Sequence, residues 1–252
     1  MEDLLVQKNK KRLSKNKTNL QIDLKAHFKK AIEVNPSFSE AHLQLALLYQ
    51  EEGDNQNVED HFNSAIISDS DEAYKLEKLG EELMKKYQFQ NAKQQFMKAQ
   101  DKRNHCAEVY YHQSIYFQNQ KKTKEQKISL ENSIKMNPSQ FYFHRELGIL
   151  LLQQNKLDDA RFQLEKALDL NYADSQSHFN LGKIMSQMKE YKDAEQHFLS
   201  ALDINAKFIN CMVELADLKL KINQKMEAKE YYLKAKALTS KLKHPVLEKI
   251  ID

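Results

Sequence analysis

The sequence predicts an all-α protein, a right-handed solenoid of helix-turn-helix units, and three observations carry that reading. The chain repeats itself every 34 residues without a gap from residue 39 to residue 242, each period holds two helical hydrophobic patterns, and glycine and proline are scarce. Four glycines and three prolines in 252 residues lie far below average usages of about 7% and 5%, so few positions force the backbone out of the helical region. With 41% hydrophobic and 30% charged residues, the apolar content suits thin layers buried between neighbouring units with two faces left to water.

The elements follow in order from the period. Segments beginning at residues 39, 73, 107, 141, 175 and 209 align so that position 7 reads Leu45, Leu79, Gln113, Leu147, Leu181 and Leu215. Position 8 reads Ala46, Gly80, Ser114, Gly148, Gly182 and Ala216, and position 20 reads Val58, Ala92, Gln126, Ala160, Ala194 and Ala228. Position 24 is Phe62, Phe96, Leu130, Leu164, Phe198 and Tyr232, and position 27 is Ala in every segment except at Ser133. Positions 4, 7, 8 and 11 share one helix face and positions 20, 24, 27 and 28 another, with a polar break between them, which predicts a helical hairpin in each segment. Small residues at 8, 20 and 27 let two helix backbones approach, and the large residues at 7 and 24 fill the adjoining holes. Gly53 falls in the turn at position 15, and Pro36 and Pro138 fall at position 32, just past a helix end. The third segment departs from the pattern at Gln113, Ser114, Gln126 and Ser133, so looser packing is expected there.

This pattern of large residue, Leu-Gly, Ala, aromatic, Ala and Pro at positions 4, 7 and 8, 20, 24, 27 and 32 resembles the tetratricopeptide repeat family. The resemblance covers residues 39 to 242, and Leu24, Phe28, Ala31 and Pro36 add the second helix of a partial repeat over residues 18 to 38. Residues 1 to 17 form a basic N-terminal arm, and residues 243 to 252 begin a short C-terminal capping helix with Val246, Leu247, Ile250 and Ile251. The resemblance implies a non-enzymatic scaffold or adaptor, a subunit of a larger assembly, that binds a partner segment in a concave groove lined by first-helix positions 2, 5, 9 and 12. Those positions supply Leu43, Leu47, Tyr74, Tyr111, Ile115, Tyr142, Ile149, Leu152 and Phe179 as the candidate stripe. The hairpin core does not require apolar residues at 5 and 9, so the stripe is greasy unless the curve of the solenoid buries part of it. The small residues Gly80, Gly148, Gly182, Ala92, Ala160, Ala194 and Ala228 are assigned to packing. The chaperone-tail clamp known in the family is not reproduced: Arg145 is followed at position 9 by Ile149, and Asn210 and Glu214 stand where cations are required.

Catalysis and cofactors find no support. No phosphate-cradling glycine loop, zinc-protease string or CxxC motif is present, and Cys106 and Cys211 stand 105 residues apart with no framework around them. His42, His144 and His178 share position 4, and His27, His61 and His197 share position 23. Residues at one position in successive repeats lie too far apart to share a metal ion. No apolar run reaches the roughly 18 residues of a membrane span, and the acidic Glu2 and Asp3 are unlike a secretory signal, so a reducing cytoplasmic or nuclear setting is expected.

The net charge of +3 hides a polarised distribution. Residues 39 to 72 hold nine acidic and no basic side chains, whereas residues 1 to 38 hold nine basic and four acidic. The run Lys8, Lys10, Lys11, Arg12, Lys15 and Lys17 is a candidate targeting or partner-binding arm, and the acidic repeat beside it offers an intramolecular partner. Nucleic-acid binding is disfavoured, because a broad basic stripe with stacking aromatics is missing. An RNA-binding solenoid and a self-associating or autoinhibited module are the alternatives to the scaffold.

Overall fold

The computed structural model describes residues 21–86, 88–239 and 248; the basic arm and the proposed capping helix lie outside the described residues, apart from residue 248. Every regular element among them is a helix. Residues 21–34 belong to α1, followed by α2 (Ser39–Glu52), α3 (Asn55–Lys85), α4 (Phe89–Asn119) and α5 (Thr123–Met136). The chain continues with α6 (Phe141–Gln153), α7 (Leu157–Leu170), α8 (Ser175–Gln187), α9 (Tyr191–Ile204), α10 (Ile209–Lys221) and α11 (Lys225–Leu238). Two compact units result, residues 1–137 and 138–252.

Among the described residues, five hairpin turns obey the period to the residue. Gly53 at φ 80° is followed at the same position by Lys121, Asn155, Lys189 and Asn223, all between φ 58° and 66°. One left-handed residue past a helix end redirects the chain and feeds amide protons back to the last carbonyls. The Glu190 amide donates to Met185 O at 2.8 Å and the Lys156 amide to Leu151 O at 3.0 Å. A glycine adopts this conformation without penalty, whereas the two lysines hold it at a cost.

In the second unit three hairpins, α6 with α7, α8 with α9 and α10 with α11, stack in order. A Cβ built on Gly182 would stand 2.6 Å from the Phe198 ring, so the missing side chain is what allows the pair to close. Gly148 faces Leu164 in the same way, and Ala160, Ala194 and Ala228 are fully buried. Between hairpins the chain turns at a recurring asparagine. Asn171 Oδ1 accepts the Ala173 amide and Asn205 Oδ1 accepts the Lys207 amide, each at 3.2 Å, while both residues take extended backbone angles. This side-chain bond offers the backbone an alternative to a further helical turn.

The first unit departs from six equal hairpins. Asn35 makes the same turn, accepting the Ser37 amide at 3.2 Å, but position 31 is Asp69 in the next segment and Arg103 in the one after. There the helices do not stop: α3 and α4 each run for 31 residues, about 46 Å at 1.5 Å per residue. Asp69 is committed elsewhere, accepting the Ser39 hydroxyl at 2.7 Å and bonding His105, while Arg103 pairs with Glu77. As a consequence the second segment leaves the stack as a two-helix arm, the end of α3 against the start of α4. The third segment takes its place on the first: Phe62 meets Tyr116 with ring centroids 6.3 Å apart, and Cys106, Val109 and Tyr116 share a core with Leu45, Tyr49, Val58 and Phe62. Within the arm Gly80 still faces the Phe96 ring, and Ala92 and Ala99 are buried. The polar residues of the third segment are buried and satisfied, with Ser129 donating to Gln113 at 2.9 Å and Ser133 to Leu130 O at 2.7 Å.

Candidate functional site

The second unit places its first helices α6, α8 and α10 next to one another in sequence order, so their exposed faces form one wall. Tyr142, Ile149 and Leu152 of α6 and Val213 and Leu220 of α10 are half-buried in that wall. Polar links stitch the helices together. Arg145 donates to Asp174 at 3.1 Å and pairs with Glu146 at 3.0 Å, and Asp174 also caps α8 by accepting the Ser177 amide at 3.0 Å. Lys183 reaches Glu214 at 4.0 Å and Lys221 reaches Ser186 at 3.3 Å. The wall therefore offers apolar patches between fixed cations, a surface suited to an extended or helical peptide carrying both kinds of group.

Two residues of the expected stripe are corrected to core positions. Phe179 packs on Phe208 and Phe198 with ring centroids 4.8 and 6.1 Å apart and is 9% exposed. The reason lies in the connecting turn: Phe208, just before α10, folds over the hairpin and covers position 5. Leu43 is likewise buried, in the cluster shared by α2, α3 and α4. Tyr74 is displaced too. It sits 62% exposed on the arm and lines a cavity of about 400 Å³ with Arg103, Cys106 and Met136. Leu47, Tyr111 and Ile115 remain half-buried in the first unit.

The first unit also carries a cavity of about 810 Å³ where α2, α3 and α4 meet, lined by Ser39, Glu40, Asp71, Glu72, Lys102 and His105 among others. At its floor His105 lies between Asp69 and Glu40, with Nε2 2.9 Å from the Glu40 carboxylate. The hydrogen bond that His105 donates to Asp69 holds its pKa above the usual histidine range, aided by both carboxylate charges and opposed by burial. Lys102 adds contacts to Glu72 at 2.8 Å and Asp69 at 3.5 Å.

Side chains at positions 4 and 23 of one repeat meet, which periodicity did not reveal. His42 Nδ1 lies 2.9 Å from His61 Nδ1, and His178 Nδ1 lies 3.1 Å from His197 Nδ1. Each position-4 histidine also points Nε2 at a carbonyl of the preceding turn, Pro36 at 3.0 Å and Tyr172 at 3.1 Å. That nitrogen therefore carries the proton, and Nδ1 accepts from the partner ring. Burial holds His61, His178 and His197 below the usual range. In the fourth segment Gln163 stands in place of the second ring, its Oε1 accepting at 2.8 Å from His144 Nδ1, so the contact is a packing device. Among the described residues no group of three or more histidine, cysteine or acidic side chains is placed to hold a metal ion. Cys211 is buried, donates to Phe198 O at 3.3 Å, and has its thiol pushed up to about 12 by burial, so it is no nucleophile. No helix among the described residues is long and apolar enough to cross a membrane.

Two family models, both described as tetratricopeptide repeat, match residues 129–168 and 145–207 and residues 27–101 respectively, together more than half of the chain. The type IV pilus assembly protein PilF of Pseudomonas aeruginosa is 27% identical over 137 residues, 52% of this chain and 52% of that protein; the chain thus spans about half the length of this curated relative. Among solved structures, YrrB, a TPR protein with an unusual peptide-binding site, superposes with TM-score 0.59 at 17% identity, covering 87% of this chain and 94% of YrrB. PilW, a widely conserved type IV pilus biogenesis factor, gives 0.53 at 18% identity over 71% of this chain and 86% of PilW. MamA gives 0.51 at 18% identity over 64% of this chain and 95% of MamA. At these identities the structural likeness concerns the fold alone.

Proposed function

We propose that this chain, which belongs to the tetratricopeptide repeat family, holds a segment of another protein against the wall formed by α6, α8 and α10. Its repeats are those of a protein-interaction scaffold, and scaffolds of this family are generally non-enzymatic. The observation that carries the reading is the wall itself. Its apolar side chains Tyr142, Ile149, Leu152, Val213 and Leu220 are half-buried, while Arg145 is held between them by Asp174, the cap of the next first helix, and Lys183 lies 4.0 Å from Glu214. Preorganised cations and half-covered apolar groups cost little ordering when a peptide arrives. The partner class that fits is a segment with apolar residues flanked by acidic ones. PilF and PilW are, by description, pilus assembly and biogenesis factors, and from them we extend to this chain only a role in assembling a larger complex.

The test replaces Ile149 and Val213 with Glu, against a control in which the exposed second-helix residues Phe162 and Gln196 become Ala. The wall variant is expected to lose co-purifying partners at unchanged helicity, and the control to keep them. Loss in the control alone would move the contact to the second helices.

A second contact is proposed at the 810 Å³ cavity of the first unit, where Glu40, Asp71, Glu72 and Asp101 outnumber Lys75 and Lys102. A basic segment, the chain's own residues 1–17 included, complements that charge. Binding there is expected to weaken as salt rises. Removal of residues 1–17 with no change in the salt dependence of partner binding would leave the arm without this role.

A further inference from the structure

The arm of the first unit exposes a face that this chain buries everywhere else it is built. Positions 7 and 24 are at most 4% exposed in the first, fourth, fifth and sixth segments, where they are Leu45 with Phe62, Leu147 with Leu164, Leu181 with Phe198 and Leu215 with Tyr232. In the arm the same positions, Leu79 and Phe96, are 44% and 38% exposed. The cause is the missing turns at Asp69 and Arg103. In the second unit a groove of this kind receives the first helix of the following repeat, as α8 lies on α7 and α10 on α9. In the first unit the following first helix, residues 107–119 of α4, is already used in the core of the first repeat. The arm therefore keeps a helix-receiving groove after its own chain has supplied that helix elsewhere.

Charge along the arm identifies what fits. Leu76, Leu79 and Leu83 follow one another at spacings of three and four, the seam of a helix pair. Beside the seam run Glu72, Lys75, Glu82 and Lys86, all exposed. Laid antiparallel on a second copy with the axis between Lys78 and Leu79, Lys75 comes opposite Glu82 of the other chain, and Glu72, which also holds Lys102 of its own chain at 2.8 Å, falls one residue from the place opposite Lys86. A two-fold contact must use one patch twice, and alternating signs placed symmetrically about an apolar centre satisfy that demand. We propose that the arm is a self-association site, at which a second copy of this chain docks with α3 antiparallel to α3 across Leu79. This goes beyond the peptide-holding wall and involves none of its residues.

Sedimentation equilibrium or light scattering of the full chain tests it. The mass of the native protein is expected to rise with concentration toward twice 29.7 kDa. Leu79→Glu, at a position already open to water, is expected to raise the dissociation constant at least tenfold with helicity and melting retained. Lys75→Glu and Glu82→Lys, both on the surface, place like charges opposite each other and are each expected to be monomeric. Mixed in equal amounts, these two variants restore opposite pairs and are expected to recover the dimer. A native chain that stays monomeric up to about 0.1 mM overturns the proposal, and so does a dimer that survives Leu79→Glu or a mixture that fails to recover.

Discussion

Placing proline at residue 70 distinguishes a continuous α3 from a regular inter-repeat turn. Residue 70 occupies position 32, where Pro36 and Pro138 stand in other segments and where the chain has already left the helix. If the period alone ruled, Ser70→Pro would be harmless or would stabilise by about 0.5 to 1 kcal/mol through a stiffer unfolded chain. In the structure, residue 70 lies in the middle of a 31-residue helix. Proline there removes one backbone hydrogen bond and drives its ring into the preceding turn, a cost of about 3 kcal/mol or more. The Ser70 hydroxyl, 3.7 Å from the Cys106 thiol, is lost as well. For a chain of this size the thermal midpoint is expected to fall by on the order of 10 °C. Ala206→Pro is the matched control. It lies at the same position after Asn205, whose extended φ of −130° and ψ of 87° suit a residue preceding proline, and it is expected to leave the midpoint unchanged or raised. Circular dichroism melts of the two variants suffice. A Ser70→Pro protein as stable as Ala206→Pro would refute the continuous helix and, with it, the extruded arm.

Two further outcomes follow from the same geometry. Ala194→Glu puts a charged side chain where a fully buried methyl touches its neighbours, and a loss of about 3 kcal/mol or more is expected in chemical denaturation; an unchanged midpoint would mean that the repeat alignment is wrong. The His178 and His197 pair makes the second unit acid-sensitive. Both rings are held below the usual range by burial, so the unfolded chain takes up protons first; their stability is complete above the unfolded pKa of about 6.5 and lost as pH falls through the folded values. His105, raised by Asp69, contributes in the opposite sense, stabilising at low pH and losing that contribution as pH rises. His197→Gln, copying the natural His144 and Gln163 pair, is expected to flatten the acid limb of a stability curve between about pH 7 and 5, and an identical curve would remove the pair from the account.

Much of the fold was legible because one physical constraint repeats. Each hairpin needs a small residue opposite a large one, and Gly182 with Phe198 shows how little space that leaves. The left-handed turn at position 15 was marked in sequence only at Gly53; Lys121 and Lys189 adopt it against their preference because the two helices fix the chain on either side. The extruded arm left a signal in the sequence, the loss of the recurring asparagine at Asp69 and Arg103, but its effect depends on Asp69 being taken up by Ser39 and His105, which are distant in sequence. Side chains on the first-helix face were harder to place. Whether position 5 faces solvent depends on the connecting turn, as Phe208 covers Phe179. The histidine pairs and the buried Lys219, held between Glu195 at 2.7 Å and Glu227 at 2.6 Å, join residues 19, 24 and 8 apart on different helices. A period shows that such positions recur, not which of them touch.

Site-specific photo-crosslinking asks which face of the second unit a partner touches. A benzophenone amino acid placed at Ile149, in the wall of first helices, and in a separate protein at Phe162, 55% exposed on the second helix of the same hairpin, reports which face a partner occupies in native extracts. A discrete partner adduct is expected from Ile149 and none from Phe162. An adduct from Phe162 with none from Ile149 would contradict the proposed docking on the wall.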